Sequence, residues 1–328
     1  MISNLLIYSL VSFIILILVS KVSYKLNLVD EPNKRKIHHK PTAYTGGVAL
    51  CIIYIFAIFL FDFSSHKLDL ILSMAFLIGL VGFVDDKYNL NAGGKLSLQI
   101  FPIIYLIILE NFNLNQIGDY NYFKLDLNSF SIPFSLFSVL FLINSFNYFD
   151  GLDGTLSFII ISTLGILFFL LPNDNIQIFL TSILIPILFF LCFNFSIFKL
   201  PKLFLGDGGS LLLGFIIAFT LIYLANQKVV HPILLAWSIA IFVYEFFSIN
   251  IIRLKDNQNL FKAGRDHLHH ILLRKTKSIF LTNFFMPLLN IFLFIIGYLS
   301  FSLISPLISL ILFISLFIIF LILRYEYL

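Results

Sequence analysis

Eleven apolar runs, separated by polar breaks, constrain the fold of this chain more than any other feature of its sequence. A run of about 17–25 apolar residues can cross the hydrocarbon core of a bilayer as a helix. Backbone groups inside that core must be hydrogen-bonded within the segment, as a helix provides. We therefore predict an all-α, polytopic integral membrane protein with about eleven transmembrane helices. The predicted spans are about 2–20, 46–63, 68–84, 95–110, 134–146, 155–171, 176–196, 209–226, 232–252, 279–301 and 303–323.

The composition of the chain agrees with a membrane location. Of its 328 residues, 60% are hydrophobic and 12% are charged, whereas soluble domains contain about 25% charged residues. No polar segment is long enough for a separate domain, so residues 1–328 are predicted to form a single membrane-embedded domain. The first apolar run lacks a basic leader and a cleavage site, which predicts a retained span. The polar, aromatic stretch 111–133 is predicted to contain a short hairpin.

The basic residues are distributed unevenly between the two sets of loops. Lys67, Lys124 and Lys228 fall in one set, and the remaining 18 of the 21 Lys and Arg residues fall in the other. Loops rich in Lys and Arg remain in the cytoplasm. The sequence therefore predicts an N-terminus outside the cell and a C-terminus in the cytoplasm.

Acidic residues cluster where apolar runs end on the predicted cytoplasmic side. Carboxylates at a membrane edge are costly unless they bind a cation or take part in chemistry. Their common side predicts one active site at the cytoplasmic face. The acidic positions are Asp85, Asp86, Asp150, Asp153, Asp207 and Asp266, the last beside His267, His269 and His270.

The first acidic motif is the pair Asp85-Asp86, followed by Lys95 and Gln99 on the next predicted helix. Adjacent carboxylates repel each other unless a cation lies near. Hard oxygen ligands favour Mg²⁺ or Mn²⁺, and one carboxylate could instead act as a general base. A solvated turn with an aspartate helix cap is the structural alternative.

The second motif places Asn144, Asn147, Asp150 and Asp153 at intervals of three residues. This spacing brings polar side chains to one face if the segment is helical. Two glycines interrupt the segment, which favours a liganding surface over one that faces lipid.

The third motif, Leu205-Gly206-Asp207-Gly208-Gly209-Ser210, opens a predicted span. Backbone N–H groups at a helix N-terminus favour phosphate. A carboxylate there would repel a bare phosphate, so a bridging divalent metal reconciles the two. An ordinary turn is an equally good explanation of this motif alone.

Two further segments carry basic and imidazole groups. The first predicted cytoplasmic loop contains Arg35 and Lys40 before Gly46-Gly47. It either anchors the chain to anionic lipid or binds phosphate, with the glycines allowing a ligand to approach the backbone. The histidines of 267–270 either bind zinc or stabilise charge on a diphosphate. Glu245, within a span, is predicted to be buried and paired with a neighbouring helix.

Taken in order, these motifs resemble the polyprenyl-phosphate N-acetylhexosamine-1-phosphate transferases, the family of WecA-like and TagO-like enzymes. The resemblance covers about residues 28–272. The matching segments are Asp-x-Pro-x-x-Arg-Lys-x-His from Asp30, Asp-Asp with the later Lys-Leu from Asp85, Asn-x-x-Asn-x-x-Asp-Gly-x-Asp-Gly from Asn144, Gly-Asp-x-Gly-Ser from Gly206 and His-Leu-His-His from His267.

The resemblance implies transfer of a sugar-1-phosphate from a UDP-N-acetylhexosamine to undecaprenyl phosphate, with release of UMP, in the bacterial inner membrane. It implies Mg²⁺ or Mn²⁺ as cofactor, GlcNAc as the most frequent sugar in the family, and no nucleic acid partner; a homodimer stays open. The implied catalytic residues are Asp85, Asp86, Asp207 and Lys95, and the implied metal ligands are Asp207 and Asn147. The implied substrate-binding residues are Asn147, Asp150, Asp153, Asn194, His267, His269, His270, Arg35 and Lys40.

Two departures from the family pattern accompany the resemblance. The segment before Gly46-Gly47 contains Tyr44, where relatives have a different sequence, and Asn194 lies farther from Asp207 along the chain than expected. The alternatives are a secondary transporter, which would place acids near the bilayer midplane and show internal repeats, and an inactive homologue. The resemblance leaves open whether transfer is direct or proceeds through a phospho-aspartate.

Overall fold

A computed structural model of the chain describes residues 2–32, 40–63, 65–171, 176–258, 264 and 266–327. These residues are mostly helical, which confirms the predicted all-α class. The helices are α1 (Ile2–Lys25), α2 (Gly46–Leu60), α3 (His66–Tyr88), α4 (Ala92–Ile104), α5 (Ser131–Tyr148), α6 (Thr155–Leu170), α7 (Gln177–Asn194), α8 (Gly206–Asn226), α9 (Pro232–Ser238), α10 (Ala240–Lys255), α11 (Leu268–Thr276), α12 (Ile279–Leu303) and α13 (Pro306–Tyr327). The strands are β1 (Val29–Asp30), β2 (Thr42–Ala43), β3 (Gln116–Asp119) and β4 (Lys124–Asp126).

Each predicted span falls on a helix within the described part of the chain. Eight helical segments there are long and apolar enough to cross a membrane, and nine if the bent pair α9 and α10, at 74° to each other, counts as one span. The other two predicted spans fall on the shorter apolar helices α2 and α6. A multi-pass membrane protein is therefore confirmed, whereas the count of eleven spans is not.

The predicted hairpin is present. Strands β3 and β4 pair in antiparallel fashion, with Asp119 opposite Lys124 and an irregularity between Gln116 and Gly118. Strands β1 and β2 form a second small antiparallel pair that joins the two ends of the first basic loop.

The chain forms two compact units, of which the first comprises Met1–Ile103 and Pro172–Ile217. Two buried tyrosines connect its helices. The Tyr8 hydroxyl donates to the carbonyl of Ser182 at 2.8 Å, and the Tyr54 hydroxyl donates to the carbonyl of Ile183 at 3.1 Å. Pro186 has no N–H to offer the Ser182 carbonyl in α7, so the phenol replaces a hydrogen bond that an apolar setting requires.

The second unit comprises Ile104–Leu171 and Ala218–Leu328. Its apolar core includes the buried rings of Trp237 and Tyr244. Polar contacts join its helices: the Asn290 amide of α12 donates to Ser162 Oγ and to the Ser238 carbonyl, both at 3.1 Å. The Ser238 carbonyl lies where α9 ends, and a carbonyl freed at a helix break needs such a partner.

Candidate active site

A lysine lies between two carboxylates in the first unit. Lys95, near the start of α4, has its Nζ 2.8 Å from Asp85 Oδ2 and 2.5 Å from Asp207 Oδ2. Asp85 lies in the last turn of α3 and Asp207 in the first turn of α8, so the end turns of three helices supply the three side chains. Asp85 also accepts a hydrogen bond from the Leu90 N–H at 2.8 Å, which fixes the turn between α3 and α4.

Asp86 has a different environment from its neighbour. Its two carboxylate oxygens accept hydrogen bonds from the N–H groups of Asp207 at 3.0 Å and Gly208 at 3.2 Å. A carboxylate at a helix N-terminus satisfies unpaired donors and meets the positive end of the helix dipole. The expectation that these N–H groups are open to phosphate is therefore wrong, because Asp86 occupies them.

The glycine pair of the first basic loop packs against the chain itself. The N–H groups of Gly46 and Gly47 donate to the carbonyls of Phe204 and Leu205 at 2.9 and 2.8 Å. A Cβ added at Gly47 would lie 2.1 Å from the backbone nitrogen of Gly209. The expectation that these glycines admit a ligand is therefore replaced by a close approach to the segment that carries Asp207.

The remaining first-unit residues occupy three different settings. Lys40 is exposed, and Arg35 lies outside the described residues. Asn194 is buried at the end of α7, and its amide donates to the Leu203 carbonyl at 2.9 Å. Tyr44 lies near Asp86; burial, followed by that carboxylate, raises the pKa of the Tyr44 phenol.

In the second unit, the polar motif of residues 144–153 is only partly helical. Asn144 and Asn147 lie in α5, which ends at Tyr148, whereas Asp150 and Asp153 lie in the turn before α6. The predicted common helical face therefore holds only for the two asparagines. The turn is held by Asn283 of α12, whose amide donates to the Asp153 carbonyl at 2.7 Å.

The histidine motif lies beside this segment within the same unit. The ring of Tyr148 lies 4.6 Å from that of His267, and Phe149 lies 5.9 Å from His269. His269 is fully buried between its two neighbours, with ring centroids 6.0 Å from His267 and 4.1 Å from His270. Neither ring nitrogen of His269 has a hydrogen-bond partner among the described residues, a feature expected of a group that receives a ligand.

The acidic residues of the first unit suit a hard divalent cation by donor type. Asp85, Asp86 and Asp207 supply three carboxylates against one ammonium group, that of Lys95. No group of three or more His, Cys, Asp or Glu side chains in the described part of the chain has the spacing of a metal site. Mg²⁺, however, commonly uses one or two carboxylates together with substrate phosphates. The residues therefore fit Mg²⁺ bound together with substrate.

Four charged residues support the histidine motif, and sequence analysis gave two of them no role. Glu245 is buried and paired with Arg324 of α13, as its position in a span predicted. Arg253 of α10 binds both oxygens of Asp266 at 3.1 and 3.0 Å. The available sequence signal for Arg324 was its place as the only basic residue of the last helix, since an arginine in a span requires a partner.

The fold and these two clusters define a multi-pass membrane protein with a lysine–carboxylate centre and a buried histidine motif. The family model described as Glycosyl transferase family 4 matches residues 68–225, a range that includes Asp85, Asp86, Lys95, Asn147 and Asp207. The histidine motif lies outside it.

Curated relatives extend the similarity over most of the chain. The undecaprenyl-phosphate alpha-N-acetylglucosaminyl 1-phosphate transferase of Escherichia coli O157:H7 is 28% identical over 261 residues, 77% of this chain and 71% of that protein. Proteins of the same name from Salmonella typhi and Yersinia pestis are each 28% identical, over 83% and 81% of this chain and 76% and 74% of their own lengths. The matched family model and these relatives agree with the resemblance drawn from the motifs.

Proposed function

We propose that this protein transfers N-acetylhexosamine-1-phosphate, with GlcNAc as the sugar, from a UDP-sugar to undecaprenyl phosphate and releases UMP. The observation that carries the proposal is the Lys95 ammonium group between Asp85 and Asp207 at the termini of three helices. It occurs in a chain whose curated relatives are named for this transfer.

The reaction brings two anions together. An oxygen of the acceptor phosphate attacks the β-phosphorus of the UDP-sugar, a new P–O bond forms, and the P–O bond to UMP breaks. Positive charge directed at the transferring group lowers this barrier. Lys95 is the positive group of the first-unit cluster, and we assign it to the acceptor phosphate.

The carboxylates of this cluster have separate tasks in the proposal. Asp86 is held by the backbone of α8, so it fixes the position of Asp207. Asp207 would hold Mg²⁺, with Asn147 as a second proposed ligand. When bound, Mg²⁺ neutralises phosphate charge and aligns the reactants. We propose direct in-line displacement, with a phospho-aspartate on Asp85 or Asp86 as the alternative.

We assign the donor to the second-unit residues. His267, His269 and His270 would contact the UDP-sugar, and Asn147, Asp150 and Asp153 would shape the nucleotide and metal site. The buried ring nitrogens of His269, which have no hydrogen-bond partner in the described part of the chain, support this assignment. Asn194, Arg35 and Lys40 are further proposed substrate contacts. The proposed setting is the bacterial inner membrane, with the reaction at its cytoplasmic face.

The test is turnover by the purified full-length protein with undecaprenyl phosphate, Mg²⁺ and a panel of UDP-sugars. UMP release and lipid-linked product are followed together. Product with UDP-GlcNAc supports the proposal in full, and product with another UDP-N-acetylhexosamine alone corrects the sugar. A folded preparation that produces neither UMP nor lipid product with any sugar contradicts it.

A further inference from the structure

The last helix reaches the histidine motif through one buried arginine. Most of α13 is apolar, yet the Arg324 side chain near its end is only 4% exposed. Its Nη1 donates to Glu245 Oε2, and its Nη2 donates to Glu245 Oε1 at 2.9 Å. The same Nη2 donates to the backbone carbonyl of Asp266 at 2.8 Å. Arg324 thus holds both a carboxylate of α10 and the residue that precedes His267.

Glu245 in turn contacts the histidine motif directly. Its Oε1 accepts a hydrogen bond from the Leu268 N–H at 3.2 Å, and it lies 3.1 Å from His267 Nδ1. An ionised carboxylate can only accept hydrogen bonds, so Nδ1 must carry the proton at this contact. The Nε2 atom of His267 is then the nitrogen left for a ligand, and the orientation of the ring is fixed.

A second arginine holds the other side of the same segment. The bidentate contact from Arg253 to Asp266 joins it to the end of α10. Burial raises the pKa of the Asp266 carboxyl, but the hydrogen bonds and charge of Arg253 outweigh this and lower it below its usual value. The backbone on both sides of His267 is therefore held by charged groups from α10 and α13.

We propose that Arg324 and Glu245 form a positioning pair, which fixes His267 with its proton on Nδ1 and presents Nε2 as a hydrogen-bond acceptor to a hydroxyl or amide N–H group of the UDP-sugar. The inference rests on the proposed function for its substrate, and it extends the donor site to the last helix. A buried ion pair is weak evidence for stability, because desolvation offsets its attraction. Its direct contacts with the His267 ring and the Leu268 N–H give it a role in the site.

The first experiment compares steady-state kinetics of the wild type with Arg324→Gln. Loss of the Arg324 guanidinium leaves the Glu245 carboxylate without its cation and the Asp266 carbonyl without its donor. We expect KM for the UDP-sugar to rise about tenfold, as the loss of a buried charged hydrogen-bond partner implies. KM for undecaprenyl phosphate should stay within about twofold, since an interaction specific to one substrate changes the constant for that substrate.

Tyr325→Leu is the matched control. Tyr325 is adjacent to Arg324, and its ring lies 3.9 Å from Lys255 Nζ, so it also joins α13 to α10 without touching Glu245. This variant should retain the donor KM of the wild type. The proposal would be overturned if KM for the UDP-sugar rose equally in both variants or stayed unchanged in Arg324→Gln. Either result would mean that the pair only stabilises the packing of α13 on α10.

A double variant keeps the test valid if Arg324→Gln alone fails to fold. In the double variant Glu245→Gln with Arg324→Gln, no unpaired charge is left buried, and an amide can either donate to or accept from His267. We expect a folded protein that still has a raised donor KM. A folded double variant with the donor KM of the wild type would contradict the proposal.

The tautomer is measured independently of turnover. Nitrogen NMR of the histidine-labelled full chain, with His267 assigned from a His267→Asn variant, should show the proton on Nδ1 in the wild type and a changed signal in the double variant. A proton on Nε2 in the wild type overturns the pair. If no UDP-sugar supports turnover but His267 shows the expected tautomer, the proposed function is rejected and the contact between Glu245 and His267 still stands.

Discussion

At the residue scale, two neighbouring aspartates have unlike surroundings. Asp85 pairs with Lys95, whereas Asp86 accepts hydrogen bonds from the backbone at the start of α8. Helical geometry explains the difference, because successive side chains point about 100° apart around the helix. Asp207 contacts Asp86 through its backbone N–H, while its side chain pairs with Lys95.

We expect Asp207→Asn to abolish transfer without unfolding the protein. Asparagine has the same shape and keeps the backbone hydrogen bond to Asp86, but it removes the charge opposite Lys95. The loss should be at least about a thousandfold, the upper range for a single electrostatic group. UMP release at saturating Mg²⁺ is the measurement, with Asp69→Asn on α3 as control. Turnover close to that of the wild type would remove Asp207 from the mechanism.

The buried His269 predicts an acid-sensitive fold. Burial, together with the nearby His270 and His267, lowers the pKa of His269 well below its usual value. Below about pH 6.5 the unfolded chain therefore binds a proton that the folded chain does not, and stability falls as the pH drops.

Melting temperature in detergent at about pH 7.5 and pH 5.5 checks this expectation. The wild type should lose more stability on acidification than His269→Gln, which has no proton to bind. His66→Gln, at an exposed histidine, is the control and should behave like the wild type. An equal loss in His269→Gln and the wild type would show that another group is responsible.

At the element scale, the position of Asp207 depends on close packing of helix ends. A Cβ added at Gly82 of α3 would lie 2.4 Å from the carbonyl carbon and oxygen of Asp207. Only glycine allows the two backbones to approach in this way. The motif Asp85-Asp86 and the motif around Asp207 are thus held together by a glycine that belongs to neither.

We expect Gly82→Ala to lower stability by about 1–3 kcal/mol, as overpacking does, and to reduce transfer because Asp207 must move. Gly165 of α6 provides a matched control, since a Cβ added there would meet nothing within 4 Å. Gly165→Ala should be neutral or stabilising by up to about 1 kcal/mol, because alanine favours the helix. Equal melting temperatures and turnover for the two variants would contradict the packing argument.

At the scale of the whole molecule, the distribution of basic residues predicts the orientation. With Lys67, Lys124 and Lys228 on one side and the rest on the other, we expect the N-terminus outside and the C-terminus in the cytoplasm. Fusions at each terminus to a reporter that is active only in the cytoplasm, and to one active only outside, measure this. A C-terminus found outside would contradict the predicted topology and the cytoplasmic site.

The sequence by itself determined the all-α membrane class, the helical segments and the resemblance to the sugar-phosphate transferases, because apolar length and motif order are local properties of the chain. It also predicted that Glu245 would be paired, since an ion in a span requires a partner. The partner itself, Arg324, lies 79 positions away, and no local pattern specifies such a distance. Only the tertiary structure decided that Asp86 caps α8, that Gly47 packs against Gly209 and that the His269 ring nitrogens have no hydrogen-bond partner among the described residues. Each of these depends on which helix ends meet in space.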